Sequence, residues 1–223
     1  MDFPELPIDP PDRDSLLAEL IAHRSALPST GHALSPWIGG RAEGLRRLSA
    51  FATSGYAGGR SRVGDDTGAS TLGPWIRHGL ITLGECRDHA LRSGGRHIPV
   101  KFLQELAWRE YFQRVRADRG DPALWTDLEP PKVALGDDPL PDDIRFGRTG
   151  LACIDDNIER LRTTGYVVNQ ARMWLASYVV HHRRVRWQEG AAWFLQHLLD
   201  GDPASNNLSW QWVASTYSHQ PYL

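Results

Sequence analysis

The amino-acid sequence predicts an all-α fold. Apolar residues recur at helical spacing along most of the chain, and no segment alternates apolar and polar residues as a half-buried strand does. The chain has 223 residues, of which 41% are hydrophobic, and a formal net charge of −2. These values are typical of a globular domain. The apolar runs are shorter than the ~18 residues of a membrane span, so we expect no membrane association.

The N-terminal region predicts an arm and one helix. Residues 1–14 are acidic and rich in proline, and they lack the basic and apolar regions of a signal peptide. Ser15 is a candidate N-cap before the amphipathic stretch LLAELIAHR, and residues 28–40 form a connection. We therefore divide the chain into an arm with one helix, residues 1–38, and a helical domain, residues 39–223.

The helical domain is predicted from its periodic segments. Residues 41–53 have helical spacing through Leu45, Leu48 and Phe51. Further helices are predicted at 72–79, 83–92, 98–117, 151–163, 167–182 and 187–199, with one of them ending at Gly165. The intervening polar segments 54–70, 119–148 and 200–209 are predicted loops. Loops longer than about 12 residues are usually functional or disordered, so they are the places to look for chemistry.

Charge and cysteine content narrow the setting. Acidic residues concentrate in 1–20 and 121–143, which leaves the rest of the chain basic, and only Lys101 and Lys132 are lysines. Guanidinium groups suit phosphates and carboxylates, although a GC-rich genome also favours arginine. Cys86 and Cys153 cannot form a disulfide scaffold and lack the spacing of metal ligands. We expect a cytoplasmic protein without a metal site.

The segment LDGDPASNNLSWQW, residues 199–212, concentrates polar and aromatic groups. Asp200 and Asp202 flank Gly201, and two amides and two tryptophans follow. Upstream, Asn169 and Arg172 share one face of a predicted helix. A buried bridge between Arg172 and these acids is costly in desolvation unless other polar groups complete it. The pattern indicates a ligand site in this segment.

Other clusters have both functional and structural interpretations. Glu105 and Arg109 are spaced i, i+4, which is also the spacing of a surface ion pair. GASTLGPW, residues 68–75, offers hydroxyl and N–H groups for a phosphate, but any N-cap has a similar composition. HHRRVR, residues 181–186, suits a nucleic-acid backbone or a solvated helix end equally. Most of the nine tryptophans are explained by core filling, although indoles also stack on flat ligands.

Taken in order, these segments resemble the FAD-binding domain of DNA photolyases and cryptochromes, from about Gly39 to Tyr222. GASTLGPWIRHGLIT is similar to the family's Thr-Ser-x-Leu-Ser-Pro stretch, and FLQELAWREYF to its Glu-Leu-x-Trp-Arg-Glu helix. The residues TGY, Asn169 and Arg172 are similar to its Gly-Trp-x-x-Asn-Arg segment. LDGDPASNNLSWQW closely resembles the family's most diagnostic segment.

The resemblance implies a U-shaped FAD within a helical bundle. It places Arg172, paired with Asp200, beside the isoalloxazine, Asp202 at the N3 edge of that ring and Asn206 near N5. Photolyases typically have Asn at the last of these positions and plant-type cryptochromes have Asp, so Asn206 favours repair. At the pyrophosphate, the resemblance implies contacts with Tyr56, Ser70, Thr71 and Leu72. It also implies that Arg109, Asn169 and Gly201 bind the cofactor.

The resemblance also implies a substrate. Trp108 and Trp212 match two indoles that hold a flipped pyrimidine dimer, Glu105 a carboxyl that hydrogen-bonds it, and Met173 a thioether of enzymes acting on cyclobutane dimers. The expected function is thus a FAD-dependent, light-driven lyase that repairs DNA. A cryptochrome-like photoreceptor and a degenerate DNA-binding domain without catalysis are the alternatives.

Several positions depart from the family pattern. We expect no antenna domain before the helical domain and no second chromophore, and the given sequence stops at HQPYL where the family continues. A preference for single-stranded DNA and a homo-oligomer that covers the open side are therefore open alternatives. Tyr166, Val168 and Gln170 replace Trp, His and Arg. Trp187 and Trp210 match two members of an electron-transfer chain, whose outermost position falls at Pro130 or Pro131; Trp125 and Trp174 are candidate substitutes.

Overall fold

The computed structural model describes residues 35–64, 67–95 and 98–223, together with Ser15 and Ala18. The chain separates into two compact units, Met1–Pro36 and Trp37–Leu223. In the first unit Ser15 and Ala18 are helical. The predicted acidic arm and most of the predicted helix after Ser15 lie outside the described residues, and the division at residues 38 and 39 stays a prediction.

The second unit is built from helices, which confirms the predicted all-α class. Its described residues contain no strand, and their one isolated bridge joins Asp138 to Val185. No described helix combines the length and the apolar character that crossing a membrane requires. In chain order the helices are α1 (Arg41–Ala50), α2 (Tyr56–Gly59), α3 (Gly73–Arg77), α4 (Leu83–Ser93), α5 (Val100–Arg119), α6 (Asp142–Arg145), α7 (Ala152–Thr164), α8 (Asn169–Ser177), α9 (Trp187–His197) and α10 (Pro203–Ala214).

The predicted loop at 200–209 is wrong for most of its length, because α10 begins at Pro203. Asp202 is the N-cap of this helix, and its side chain accepts a hydrogen bond from the backbone N–H of Ser205. Proline at the first position and an acidic N-cap are ordinary start signals. The helix is buried on most of its surface, including Asn206 and Asn207, so it lacks the polar face by which a helix is recognised in a sequence.

Smaller corrections concern the other predicted loops and helix ends. The segment 54–70 contains α2, and 119–148 contains a 3₁₀ turn at Asp121–Leu124 as well as α6. The predicted helix 167–182 consists of α8 followed by a π-helical turn, Tyr178–His182. The predicted stop at Gly165 is confirmed: this residue is left-handed, with φ of 74°, and a Cβ there would lie 2.7 Å from Leu199 Cγ.

Two apolar clusters meet at the candidate site. The larger cluster contains residues of α7, α8, α9 and α10 and lies around Trp187, Trp193 and Trp210. The smaller cluster contains residues of α1, α3, α4 and α5 and lies around Trp75 and Phe102. Helix α10 packs against α9 and also against α5. Residues 199–202, which we call the acidic turn, precede α10. They therefore lie where α3 and α5 of one cluster approach α8 of the other.

Candidate functional site

Arg172 and Asp200 form the central ion pair of the site. Nη2 of Arg172 lies 2.9 Å from both carboxylate oxygens, and Nε donates to the carbonyl oxygen of Val167 at 2.8 Å. The Asp200 side chain is only 9% exposed. Burial, the largest single influence, lowers the pKa of Arg172, but the Asp200 and Tyr166 charges and the hydrogen bond to Asp200 together outweigh it, and the pKa rises. The pairing expected from the sequence is present, while its role towards a flavin stays a prediction.

Helix α3 fixes the acidic turn from the opposite side. Arg77 Nε donates to the carbonyl oxygen of Gly201 at 2.8 Å, and Nε2 of His78 lies 2.9 Å from the carbonyl oxygen of Leu199. A Cβ on Gly73 would lie 2.3 Å from Asp200 Oδ2. Only glycine fits this close approach of backbone and carboxylate. The Asp200 side chain is therefore held between α3 and α8.

Asp202 is held by α5 and by its own helix. Its Oδ2 accepts hydrogen bonds from Gln113 Nε2 at 2.6 Å, from the Ser205 hydroxyl and from the Ser205 backbone N–H. Burial acts to raise the pKa of Asp202, but these hydrogen bonds and the Arg109 charge outweigh it and hold the pKa below its ordinary value. Asp202 is therefore a buried carboxylate whose Oδ2 is satisfied by protein, while its Oδ1 accepts no hydrogen bond from the described residues.

The lowered pKa of Asp202 predicts acid sensitivity. Because the unfolded chain takes up the proton first, this carboxylate stabilises the fold above about pH 4, and the contribution is lost as the pH falls through the lower folded-state pKa. Urea unfolding of the wild type and Asp202→Asn should show a stability difference that is largest near neutral pH and shrinks in acid. A difference that stays constant on acidification would contradict this assignment.

Arg109 and Asn206 carry polar groups that the protein leaves available. Arg109 is mostly buried, and burial lowers its pKa against the opposing charges of Asp202 and Asp200. Within the described residues its guanidinium makes no hydrogen bond or ion pair. Asn206 donates to the carbonyl oxygen of Ala191 at 3.0 Å and to Asn207 Oδ1 at 2.9 Å, while its own Oδ1 accepts nothing from the described residues. A mostly buried cation and a free amide oxygen fit an anionic ligand with N–H donors, as FAD is.

The predicted pyrophosphate contacts lie on the adjoining segments. Thr71 has a φ of 55°, which is rare for a β-branched residue and marks a constrained backbone. Leu72 is fully buried in the smaller core, so only its backbone is available to a ligand. The Tyr56 ring packs edge-on against Phe102 at 5.2 Å between centroids. Burial and the Glu105 charge raise the pKa of Tyr56 to about 12, so its hydroxyl remains a donor.

Glu105 has different partners from those its spacing indicated. Its carboxylate lies 2.9 Å from Lys101 Nζ and 3.4 Å from Arg60 Nη1. The interpretation of Glu105 and Arg109 as an i, i+4 ion pair is therefore wrong. Arg109 interacts electrostatically with Asp200 and Asp202 instead, while α2 supplies Arg60 to Glu105.

Trp108 and Trp212 present their rings at the surface. They are 51% and 41% exposed, which is unusual for the largest apolar side chain. Trp108 packs edge-on against Tyr111 at 5.6 Å, and Trp212 lies 5.8 Å from the Tyr222 ring. On α8, Asn169 Nδ2 donates to Met173 Sδ at 3.4 Å. The four predicted substrate residues thus lie on α5, α8 and α10, the helices that also carry the flavin candidates Arg109, Asn169, Arg172 and Asn206.

Trp187 and Trp210 are both buried in the larger core. Trp210 packs edge-on against Phe194 at 4.9 Å, and the Trp187 indole N–H donates to Asp127 Oδ1 at 2.8 Å. The candidate surface indoles, Trp125 and Trp174, are both exposed. The electron-transfer roles of these residues stay predictions.

Sequence reasoning missed several residues that complete these interactions. Gln113 lies four residues after Arg109 and Lys101 four residues before Glu105, so helical spacing alone offered a signal for both. Arg60 and Asp127 come from other segments, and no sequence pattern links them to Glu105 or Trp187.

Comparison with known proteins places this arrangement in a family. The family model described as the FAD binding domain of DNA photolyase matches residues 102–223. A deoxyribodipyrimidine photo-lyase of Streptomyces griseus is 34% identical over 191 residues, covering 82% of this chain and 41% of the relative. The structure of a bacterial class III photolyase from Agrobacterium tumefaciens has a TM-score of 0.70 at 30% identity, covering 84% of this chain and 40% of that one.

A cryptochrome structure from Synechocystis sp. PCC6803 shares the fold, with a TM-score of 0.77 at 23% identity over 89% of this chain and 44% of that one. The chain thus spans about two fifths of the length of these proteins. The family model covers more than half of the chain, including α10 and its acidic turn. The chain belongs to the family of the FAD-binding domain of DNA photolyase.

Proposed function

We propose that this domain binds FAD and forms the catalytic core of a light-driven lyase that splits cyclobutane pyrimidine dimers in DNA. The observation that carries the proposal is the convergence of two features on the same helices. The first feature is the buried Arg172–Asp200 pair at the acidic turn, next to Arg109, whose guanidinium is unpaired among the described residues. The second feature is the pair of exposed indoles, Trp108 on α5 and Trp212 on α10. The Streptomyces griseus relative bears the name deoxyribodipyrimidine photo-lyase.

The side chains around the acidic turn suit the flavin ring. FAD in its reduced form supplies an electron on absorbing light, so the protein contributes binding and electrostatics. Arg172 and Arg109 place positive charge where a reduced, anionic ring is stabilised. Asn206 is neutral, and its Oδ1 accepts nothing from the described residues, whereas a carboxylate there would oppose negative charge.

The exposed indoles suit an extruded lesion. Flipping a base costs a few kcal/mol, least for a damaged or unpaired base. Stacking on an aromatic ring contributes about 1–3 kcal/mol per base, so Trp108 and Trp212 together can offset that cost. We assign to Glu105, held by Lys101 and Arg60, the role of a carboxylate that accepts hydrogen bonds from N–H groups of the extruded lesion and so orients it.

Trp210 and Trp187 suit a route for electrons from the protein to the oxidised cofactor. Both rings are buried in the larger core, and Trp210 lies on α10 one turn after Asn206. We assign them to the photoreduction that prepares the cofactor for repair.

The test is repair by the isolated chain. Purified protein should show flavin absorbance, and the reduced form should restore a dimer-containing oligonucleotide under blue light but not in darkness. A colourless protein would contradict FAD binding. A flavin-loaded, photoreducible protein that leaves the dimer intact would contradict repair and favour the cryptochrome-type alternative. Sizing of the loaded protein decides whether a homo-oligomer is needed.

Removing the indoles should weaken lesion binding in the dark. Trp108→Ala and Trp212→Ala each lose a stacking contact of about 1–3 kcal/mol, so the dissociation constant for a dimer-containing oligonucleotide should rise by about 5- to 150-fold. Binding is measured by fluorescence anisotropy with single- and double-stranded probes, which also tests the strand preference. Trp125→Ala removes an exposed indole from the segment between α5 and α6 and should bind as the wild type does. Equal affinities for all three variants would contradict the lesion site.

A further inference from the structure

Among the described residues, the indole N–H of Trp187 has one hydrogen-bond acceptor, and it is a carboxylate. Trp187 is 2% exposed, yet its Nε1 donates to Asp127 Oδ1 at 2.8 Å. Asp127 lies in the loop after the 3₁₀ turn and is exposed to solvent. A single hydrogen bond therefore connects a buried indole to water.

The Asp127 carboxylate is not used elsewhere in the described part of the chain, where it forms no ion pair. The neighbouring Arg186 is engaged by Asp137 at 3.5 Å and by Glu189 at 3.1 Å. A carboxylate with this freedom is a suitable base for a proton delivered along its hydrogen bond. An acceptor serving only to satisfy a buried N–H needs no charge, because a carbonyl or an amide oxygen does the same.

We infer that Asp127 accepts the indole proton of Trp187 when Trp187 is oxidised. The inference rests on the proposed role of Trp187 and Trp210 in photoreduction. With FAD bound, the cofactor would supply the oxidant: Trp187 would lose one electron to it by way of Trp210. The N–H bond of Trp187 breaks, its proton forms an O–H bond on Asp127 Oδ1, and a neutral tryptophan radical and a carboxylic acid remain. Solvent then takes the proton from the exposed Asp127.

Trp187 and Trp210 form the proposed electron relay. With this proton transfer, the relay ends at Trp187, inside the protein. The outermost tryptophan position of the resembled family falls at Pro130 or Pro131, which carry no oxidisable ring. Oxidation makes an indole N–H strongly acidic, and loss of the proton removes the positive charge that would draw the electron back. With Asp127 as the acceptor, Trp187 retains the oxidised state without passing it on to Trp125 or Trp174, the candidate surface indoles.

The deciding variant is Asp127→Asn, which keeps an acceptor oxygen but removes the base. After a light flash, the oxidised FAD-loaded wild type should form the neutral radical of tryptophan, and the variant should form the cation radical. The rate of proton loss should fall on the order of 100-fold, the lower end of the contribution of a positioned base. Asp118→Asn alters an exposed carboxylate paired with Arg119 and should behave as the wild type does.

A second measurement uses the protein without cofactor. The Trp187 indole N–H resonance, assigned by its loss in Trp187→Phe, should move in Asp127→Asn and stay in place in Asp118→Asn. No movement, or a neutral radical formed at the wild-type rate in Asp127→Asn, overturns the inference while leaving the relay intact. Photoreduction that survives Trp187→Phe unchanged overturns the relay and the inference together. Neither measurement uses DNA, so both are independent of repair.

Discussion

Replacing Arg172 with leucine is expected to lower the free energy of unfolding by about 3–5 kcal/mol, the cost of leaving one member of a buried ion pair without its partner. The stranded group is Asp200, which is 9% exposed and enclosed by Gly73 and the α3 side of the turn. Arg172 also donates to the Val167 carbonyl oxygen, which loses its donor. If FAD binds as proposed, flavin absorbance should disappear from the purified variant, because the acidic turn is no longer fixed.

A surface pair provides the control for Arg172→Leu. Arg114 and Glu110 are spaced i, i+4 on α5, and both side chains are at least half exposed. Such pairs contribute about 0.3–0.5 kcal/mol, so Arg114→Leu should change the unfolding midpoint in urea little. The double variant Arg172→Leu with Asp200→Leu removes the stranded charge and should recover much of the lost stability without recovering FAD. If Arg172→Leu alone is as stable as Arg114→Leu, Arg172 and Asp200 do not depend on each other as a buried ion pair does.

The all-α class could be predicted because helical periodicity is a local property. Spacing through Leu45, Leu48 and Phe51 is visible in a single segment, and so is the stop at Gly165. Helix α10 has no such periodicity, because it is buried on nearly every side and so rich in amides that its polar residues resembled a loop. Its start signals, Asp202 and Pro203, were present in the sequence but were interpreted as part of a ligand segment.

The candidate site was predictable where the family resemblance named a partner. The residues alone left both Asp200 and Asp202 open as partners of Arg172, and the resemblance pointed to Asp200, which the structure places in the pair. The alternative that paired Glu105 with Arg109 fails because helical spacing limits which side chains can meet but does not rank competitors from other elements. Lys101 satisfies the same i, i+4 rule, and Arg60 arrives from α2. Such competition is decided by packing, which a sequence pattern does not contain.

Gly190→Ala is expected to destabilise the protein although the substitution usually favours a helix. Gly190 lies within α9, where replacing glycine with alanine normally contributes about 0.5–1 kcal/mol. Here a Cβ would lie 2.3 and 2.4 Å from ring carbons of Trp210. The ring cannot withdraw freely, because Phe194 packs edge-on against it at 4.9 Å. Overpacking of this kind costs about 1–3 kcal/mol, which exceeds the gain in helix propensity.

Gly84→Ala separates the two contributions in Gly190→Ala. Gly84 lies in the first turn of α4, and the nearest atom to its added Cβ is Thr82 Oγ1 at 3.7 Å, an ordinary contact. This variant should therefore gain about 0.5–1 kcal/mol in urea unfolding, while Gly190→Ala loses stability. Because the displaced ring belongs to the proposed relay, Gly190→Ala should also slow photoreduction of bound FAD, whereas Gly84→Ala should not. Equal stability of the two variants would mean that Trp210 has room to move, and a stable Gly190→Ala with unchanged photoreduction would remove Trp210 from the relay.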